Sequence, residues 1–190
     1  MKRVVVTGLG VVSSIGNNVA EVTRSLKDGK SGIEFVEKYK ELGFRSQVAG
    51  TLKMNVDELV DRRLRRFMGD GAAFAYLAMK EAIGDAGLSE AEISNDRTGL
   101  VAGSGGPTTG AIVQSAIIAK EKGPKRIGPF MVPKAMSSTI SANLATAYRI
   151  KGLSYSISSA CSTSAHCIGN AVECIRRRCR RSAPRSSTPS

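Results

Sequence analysis

Short apolar runs alternate with segments of helical period along this chain. Arg3–Thr7 is a β-branched run that leads into Gly8 and Gly10, the pattern of a buried first strand entering a glycine turn. The period then changes. Asn18-Val-Ala-Glu21 has the form of a capping box, Val19, Val22 and Leu26 share a helical face behind it, and Gly29 closes the helix. Residues 30–54 are mixed and predict mainly loop, with a strand near Gln47–Leu52. Asn55-Val-Asp-Glu58 marks a further helix start. A long helix of small residues then runs to Ala86-Gly87, and Ala75, Ala78 and Ala82 give it a face suited to close packing.

The second part of the chain repeats the alternation. Ser89-Glu-Ala-Glu92 is a capping box, Arg97–Ala102 a strand candidate, and Gly103–Gly110 a glycine-rich loop. Ala111–Lys122 suits a helix, Pro129 and Pro133 bracket an extended segment, and Lys134–Ile150 predicts a buried helix with Met136, Ile140 and Leu144 at helical spacing. Leu153–Ile157 alternates like a strand, Ser158–Ala160 makes a turn, and the apolar positions 165, 168, 172 and 175 predict a last helix. Beyond about Val172 core periodicity stops. The division expected is a body over 1–173 and an Arg/Ser/Pro-rich tail over 174–190, disordered after its first turn or so. Strand and helix in turn predict an α/β fold, a sheet with helices on both faces.

Charge changes this picture only at the end. The 190 residues carry a net charge of +12, but the last seventeen hold six Arg and no acidic residue, leaving 22 basic and 16 acidic residues in the body. A moderately basic body suits an acidic partner without requiring nucleic acid. Nucleotide fingerprints fail on spacing: Gly-x-Gly-x-x-Gly needs glycine where Ser13 stands, Thr-Gly-x-x-x-Gly-x-Gly needs it where Val12 stands, and no Gly-Lys-Ser/Thr follows the 103–110 loop. The start resembles a signal peptide only superficially, since Gly8 and Gly10 break the apolar run and no Ala-x-Ala follows. With no run of membrane-spanning length, the expected location is cytoplasmic, with no membrane partner.

The four cysteines, 161, 167, 174 and 179, lie close together with the sole histidine, His166, but form no Cys-x-x-Cys and no familiar zinc spacing. Neither a metal site nor a disulfide framework is expected. Cys161 falls where a strand ends and a helix begins. Unpaired N–H groups there carry partial positive charge and favour a thiolate nucleophile; a small buried cysteine is the competing reading. The cluster Arg62, Arg63, Arg65 and Arg66 is either a solvated helix end or a docking patch for an acidic partner.

The segment Ser-Ile-Ser-Ser-Ala-Cys161-Ser-Thr-Ser-Ala-His-Cys-Ile-Gly-Asn-Ala resembles the nucleophile segment of β-ketoacyl-acyl carrier protein synthases. Met1-Lys-Arg-Val-Val-Val-Thr-Gly-Leu-Gly-Val-Val-Ser-Ser, Asp61-Arg-Arg-Leu-Arg-Arg-Phe-Met, Ala102-Gly-Ser-Gly-Gly and Val132-Pro-Lys-Ala-Met136 resemble further family segments in the same order. The resemblance covers about residues 1–173 and implies the N-terminal half of a thiolase-like fold, a homodimer in the family, and a decarboxylating condensation without a cofactor. It implies Cys161 as the acyl nucleophile, whose own N–H serves an oxyanion hole. By the same resemblance Arg62, Arg63 and Arg66, with Lys122 and Lys125, dock acyl carrier protein, and Gly105, Gly106 and Met136 lie at the acyl pocket. The family's second half supplies two histidines, a lysine and a glycine-rich loop for which this chain has no counterpart; His166 lies on the nucleophile's own helix. The chain is therefore expected to be a truncated, inactive half. The alternative is a non-enzymatic product whose basic tail binds nucleic acid non-specifically; no specific nucleic-acid motif is present.

Overall fold

The computed structural model describes the backbone of residues 3–181 and the side chains as far as Arg177. Two compact units emerge. One holds Thr7–Arg66 and Asp70–Leu88; the other holds Phe67–Gly69, the segment from Ser89 onward and the N-terminal residues before Thr7.

In the first unit, α1 (Val19–Lys27) starts at Asn18, whose side chain accepts a hydrogen bond from Glu21 N. The Glu21 carboxylate reaches back to Asn17 N rather than to the cap itself, a box displaced by one residue. β1 (Ile33–Phe35) pairs antiparallel with β2 (Val48–Gly50), and the short α2 (Glu37–Glu41) lies between them. The pattern had marked the second strand alone; three residues are too few for β1 to show a period. Asn55 caps α3 (Val56–Leu59), and α4 (Arg62–Arg65) leads to α5 (Asp70–Asp85). The alanine face of α5 packs on the glycine turn: a Cβ at Gly8 would stand 2.2 Å from the Ala82 carbonyl oxygen, and one at Gly10 1.8 Å from that of Ala78. The glycines thus serve close approach of two backbones. Carboxylates from α5 complete the contact, Asp85 accepting from Leu9 N and Glu81 from Val11 N and Val19 N. The strand expected at Arg3–Thr7 pairs with no other strand among the described residues, and Val5 and Val6 are exposed.

In the second unit, Ser89 and Glu92 form the capping box of α6 (Glu90–Ile93). β3 (Leu100–Gly103) and β4 (Ser154–Ile157) are parallel neighbours, in register from Leu100 opposite Ser154 to Gly103 opposite Ile157. Parallel strands need a crossover; here it contains α7 (Thr109–Lys122), a 3₁₀ turn at Pro124–Arg126, α8 (Met131–Ala135) and α9 (Thr139–Ala147). The helix expected over 134–150 is split. Met136 is extended, and Pro133 sits in the first turn of α8, where its missing N–H costs nothing. Only Ile140 and Leu144 of the expected face are buried. α10 (Thr163–Arg181) follows β4. Ser156 Oγ lies 2.7 Å from Ser141 of α9, while Tyr155 OH lies 3.4 Å from Asn170 Oδ1 of α10. Successive strand residues face opposite ways, so α9 and α10 cover opposite faces of the β3–β4 pair.

α10 runs further than expected. It continues to Arg181, well past Val172, and the rest of the expected tail, 182–190, lies outside the described residues. Its apolar stripe does not face the sheet: Ile168 is 66% and Ile175 48% exposed. The sheet takes a second stripe, in which Thr163, Asn170 and Cys174 recur at helical spacing. Among the described residues no helix is long and apolar enough to cross a membrane.

Candidate functional site

Cys161 stands in the link from β4 to α10. The strand ends at Ile157, Ala160–Ser162 form one 3₁₀ turn, and α10 begins at Thr163. Ala160 takes φ +45°, the left-handed region. For a residue with a Cβ this costs on the order of 1–3 kcal/mol, so the surroundings must hold it. Thr163, 4% exposed, does so from below. Its hydroxyl accepts a hydrogen bond from Ser159 N at 2.8 Å and donates to the Ala160 carbonyl at 2.8 Å. Ser162 N closes the turn onto Ser159 O at 2.9 Å. The Cys161 side chain is exposed, and its N–H donates to no partner among the described residues.

The glycine loop lies against this turn. A Cβ at Gly105 would come to 3.0 Å from the Ala160 carbonyl oxygen, and Ser158 Oγ donates to Ser104 O at 3.0 Å. Ser104 Oγ in turn donates to Gly106 O at 2.8 Å. Gly105 is thus brought to the cysteine turn directly and Gly106 through Ser104. Met136 is exposed and belongs to the break between α8 and α9. Its segment is tied to β4 through the Ser138 carbonyl, 3.2 Å from Ser156 Oγ.

His166 is exposed on α10, where its carbonyl accepts from Asn170 Nδ2 at 2.9 Å. Cys167 is half-buried, and burial pushes its thiol up, only partly offset by a hydrogen bond with the Ile157 backbone. Burial also raises Tyr155, helped by its contact with Cys174 Sγ at 4.0 Å. Both shifts favour the protonated forms of Cys167 and Tyr155. The sequence reading missed Thr163 and Ser158. The Ser/Thr density over 154–164 was the available signal, and it marked a turn without saying which hydroxyl held it.

The basic residues separate by environment. Arg65 is only 17% exposed, 2.7 Å from Asp57 and 2.6 Å from Asp70. Arg62, Arg63 and Arg66 are exposed on the same short stretch. Lys122 ends α7 and Lys125 lies in the following 3₁₀ turn, both exposed, on the other unit. Arg65→Ala is expected to cost about 1–2 kcal/mol, the range for charge-assisted hydrogen bonds discounted for the exposed carboxylates. Single alanines at Arg62 or Arg63 should stay within about 0.5 kcal/mol. Urea denaturation of the three variants separates them; equal midpoints would show that the Arg65 pairs add nothing.

Comparison with known proteins agrees with this architecture. The model of the beta-ketoacyl synthase N-terminal domain matches residues 1–181. The chain is 57% identical over 177 residues to 3-oxoacyl-[acyl-carrier-protein] synthase 1 of Haemophilus influenzae, a match covering 93% of this chain and 44% of that protein. A crystal structure of a beta-ketoacyl synthase from Burkholderia phymatum STM815 superposes with a TM-score of 0.79 at 26% identity, over 93% of this chain and 44% of the other. A ketosynthase bound to a hexaketide and solved with its type II PKS acyl-carrier protein gives a TM-score of 0.72 at 19% identity, over 93% of this chain and 47% of that one, a likeness of fold alone. The chain belongs to the beta-ketoacyl synthase family, has the N-terminal half of its thiolase-like fold, and spans less than half the length of the relatives it matches.

Proposed function

We propose that Cys161 is the acyl-accepting nucleophile of a 3-oxoacyl-acyl carrier protein synthase of fatty acid synthesis, a cytoplasmic homodimer when whole. The observation that carries this reading is the cysteine turn: an exposed thiol whose own N–H is unengaged, on a strained bend beside a glycine loop. The Cys161 thiolate attacks the acyl thioester carbonyl and a new C–S bond forms. The negative charge on the carbonyl oxygen is received in part by the Cys161 N–H. The carrier's thiolate then leaves and takes a proton. In the condensation that follows, malonyl-carrier protein loses CO₂, the carbanion attacks the acyl carbon, and the Cys161 thiolate is released.

The carrier protein is acidic and docks on Arg62, Arg63 and Arg66, with Lys122 and Lys125 as a second basic group. The backbone at Gly105 and Gly106 leaves room for the acyl chain, with Met136 at the rim. Acyl carrier protein loaded with a radiolabelled acyl group, incubated with the chain, should label the peptide containing Cys161. Cys161→Ala should take up nothing. Label on Cys167 or Cys174, or none beside a normally acylated full-length relative, overturns the reading.

Docking has its own signature. Reversing Arg62, Arg63 and Arg66 together to Glu should lower the acylation rate at limiting carrier protein roughly 10–100-fold at low salt, since rim charges act mainly on association. The deficit should shrink as salt screens the pairs. Acylation by a small pantetheine thioester should be unchanged. An equal loss with both donors would place the three arginines outside docking.

A further inference from the structure

We infer that Thr163 is a positioning residue for Cys161, acting through the backbone of Ala160. The inference rests on the acyl-nucleophile reading and adds a group that never touches substrate. One hydroxyl fills both of its hydrogen-bonding roles locally, accepting from Ser159 N and donating to Ala160 O. It therefore spans the residue that must stay at φ +45°. The side chain is buried and its methyl packs beneath β3, where a Cβ added at Gly103 would meet it at 2.8 Å.

Ala160 precedes Cys161, so its backbone angles set where the Cys161 N–H and thiol point. An alanine released from the left-handed region relaxes to negative φ and swings the following peptide. A small rotation there moves the oxyanion donor off the position that the developing charge occupies, while leaving the sulfur exposed. Valine at 163 keeps the shape and removes the hydroxyl. Serine keeps the hydroxyl and loses a methyl.

Two reagents separate positioning from folding. A pantetheine thioester needs the N–H donor as well as the thiol; iodoacetamide needs only the thiol. Thr163→Val should acylate at Cys161 roughly tenfold more slowly, in keeping with the steep geometric dependence of such steps, while alkylation by iodoacetamide stays within about twofold. Thr163→Ser should recover most of the acylation rate. Adding Ala160→Gly to Thr163→Val should also recover it, because glycine adopts positive φ without help. Acylation of Thr163→Val at the unsubstituted rate overturns the inference, as does an equal fall with both reagents. If the unsubstituted chain is alkylated at Cys161 but never acylated, the acyl reading fails instead, and the clamp is judged on amide hydrogen exchange at Ser159. Faster exchange in Thr163→Val, restored in Thr163→Ser, supports the clamp; unchanged exchange removes it.

Discussion

Gly103→Ala is expected to unfold the unit that carries Cys161. Gly103 is the last residue of β3 and lies opposite Ile157, the last residue of β4. A Cβ there would stand 2.0 Å from the Ile157 carbonyl oxygen and 2.8 Å from the Thr163 methyl. The first obstacle is backbone, so no side-chain rotation relieves it. Relief would require β4 to move away from β3, and these are the only two strands of their sheet among the described residues. Overpacking usually costs about 1–3 kcal/mol; a clash with paired backbone should reach or exceed the upper end. The site should fail with the sheet, because Ser158, Ala160 and Thr163 hang from the end of β4. Urea titration followed by circular dichroism should show a lower midpoint or no folded baseline, and thioester acylation of Cys161 should vanish. Gly169→Ala on α10 is the matched control, since nothing lies within 4 Å of its added Cβ and it is not part of the proposed acyl pocket. A folded Gly103→Ala chain with normal acylation would show that the two strands need not approach so closely.

What the sequence made legible, and what it hid, follows from the range of the forces concerned. The caps at Asn18, Asn55 and Ser89 were visible because donor and acceptor lie within four residues. The β4–Cys161–α10 order was visible for the same reason, as a change of period across a few small residues. Arg3–Thr7 shows the limit: β-branched residues favour extended chain, but a strand exists only with a partner, and the sequence does not say where that is. The break at Met136 has a local cue in Pro133, but a proline suits extended chain as well as a helix start, and only the structure decides for the latter. α10 is the plainest case. Its apolar period announced a helix, which forms, but Ile168 and Ile175 stay exposed while small and polar residues meet the sheet. Periodicity reports that a face is apolar, not what covers it. In the site, Cys161 and the glycine loop were legible as types at a boundary. Thr163 was not, because its importance comes from a positive φ three residues upstream.

The 190-residue polypeptide alone is expected to stop at the acyl-enzyme. Attack by Cys161 needs an accessible sulfur and a donor for the carbonyl oxygen, and the cysteine turn presents an exposed side chain beside its own unengaged N–H. Decarboxylation makes a different demand, because a carbanion must form and charge must be stabilised on the malonyl carbonyl as CO₂ leaves. The resemblance assigns that work to two histidines beyond the part of the family matched here. The one histidine of this chain, His166, is exposed five residues along from Cys161 on α10. Removing a positioned acid or base costs about 10²–10⁴-fold each, so two together set condensation roughly 10⁴–10⁸-fold below a full-length relative. The loss should be selective. Mixed with acyl- and malonyl-carrier protein, the chain should accumulate the Cys161 thioester, seen as a stable mass increase, while release of labelled CO₂ and formation of β-ketoacyl product stay at background. Because exposed apolar faces such as that of α10 favour aggregation, the measurement belongs at low protein concentration beside a full-length relative. Release of CO₂ at the relative's rate would mean that the matched half contains the decarboxylating groups, and the division of labour between the halves would have to be abandoned.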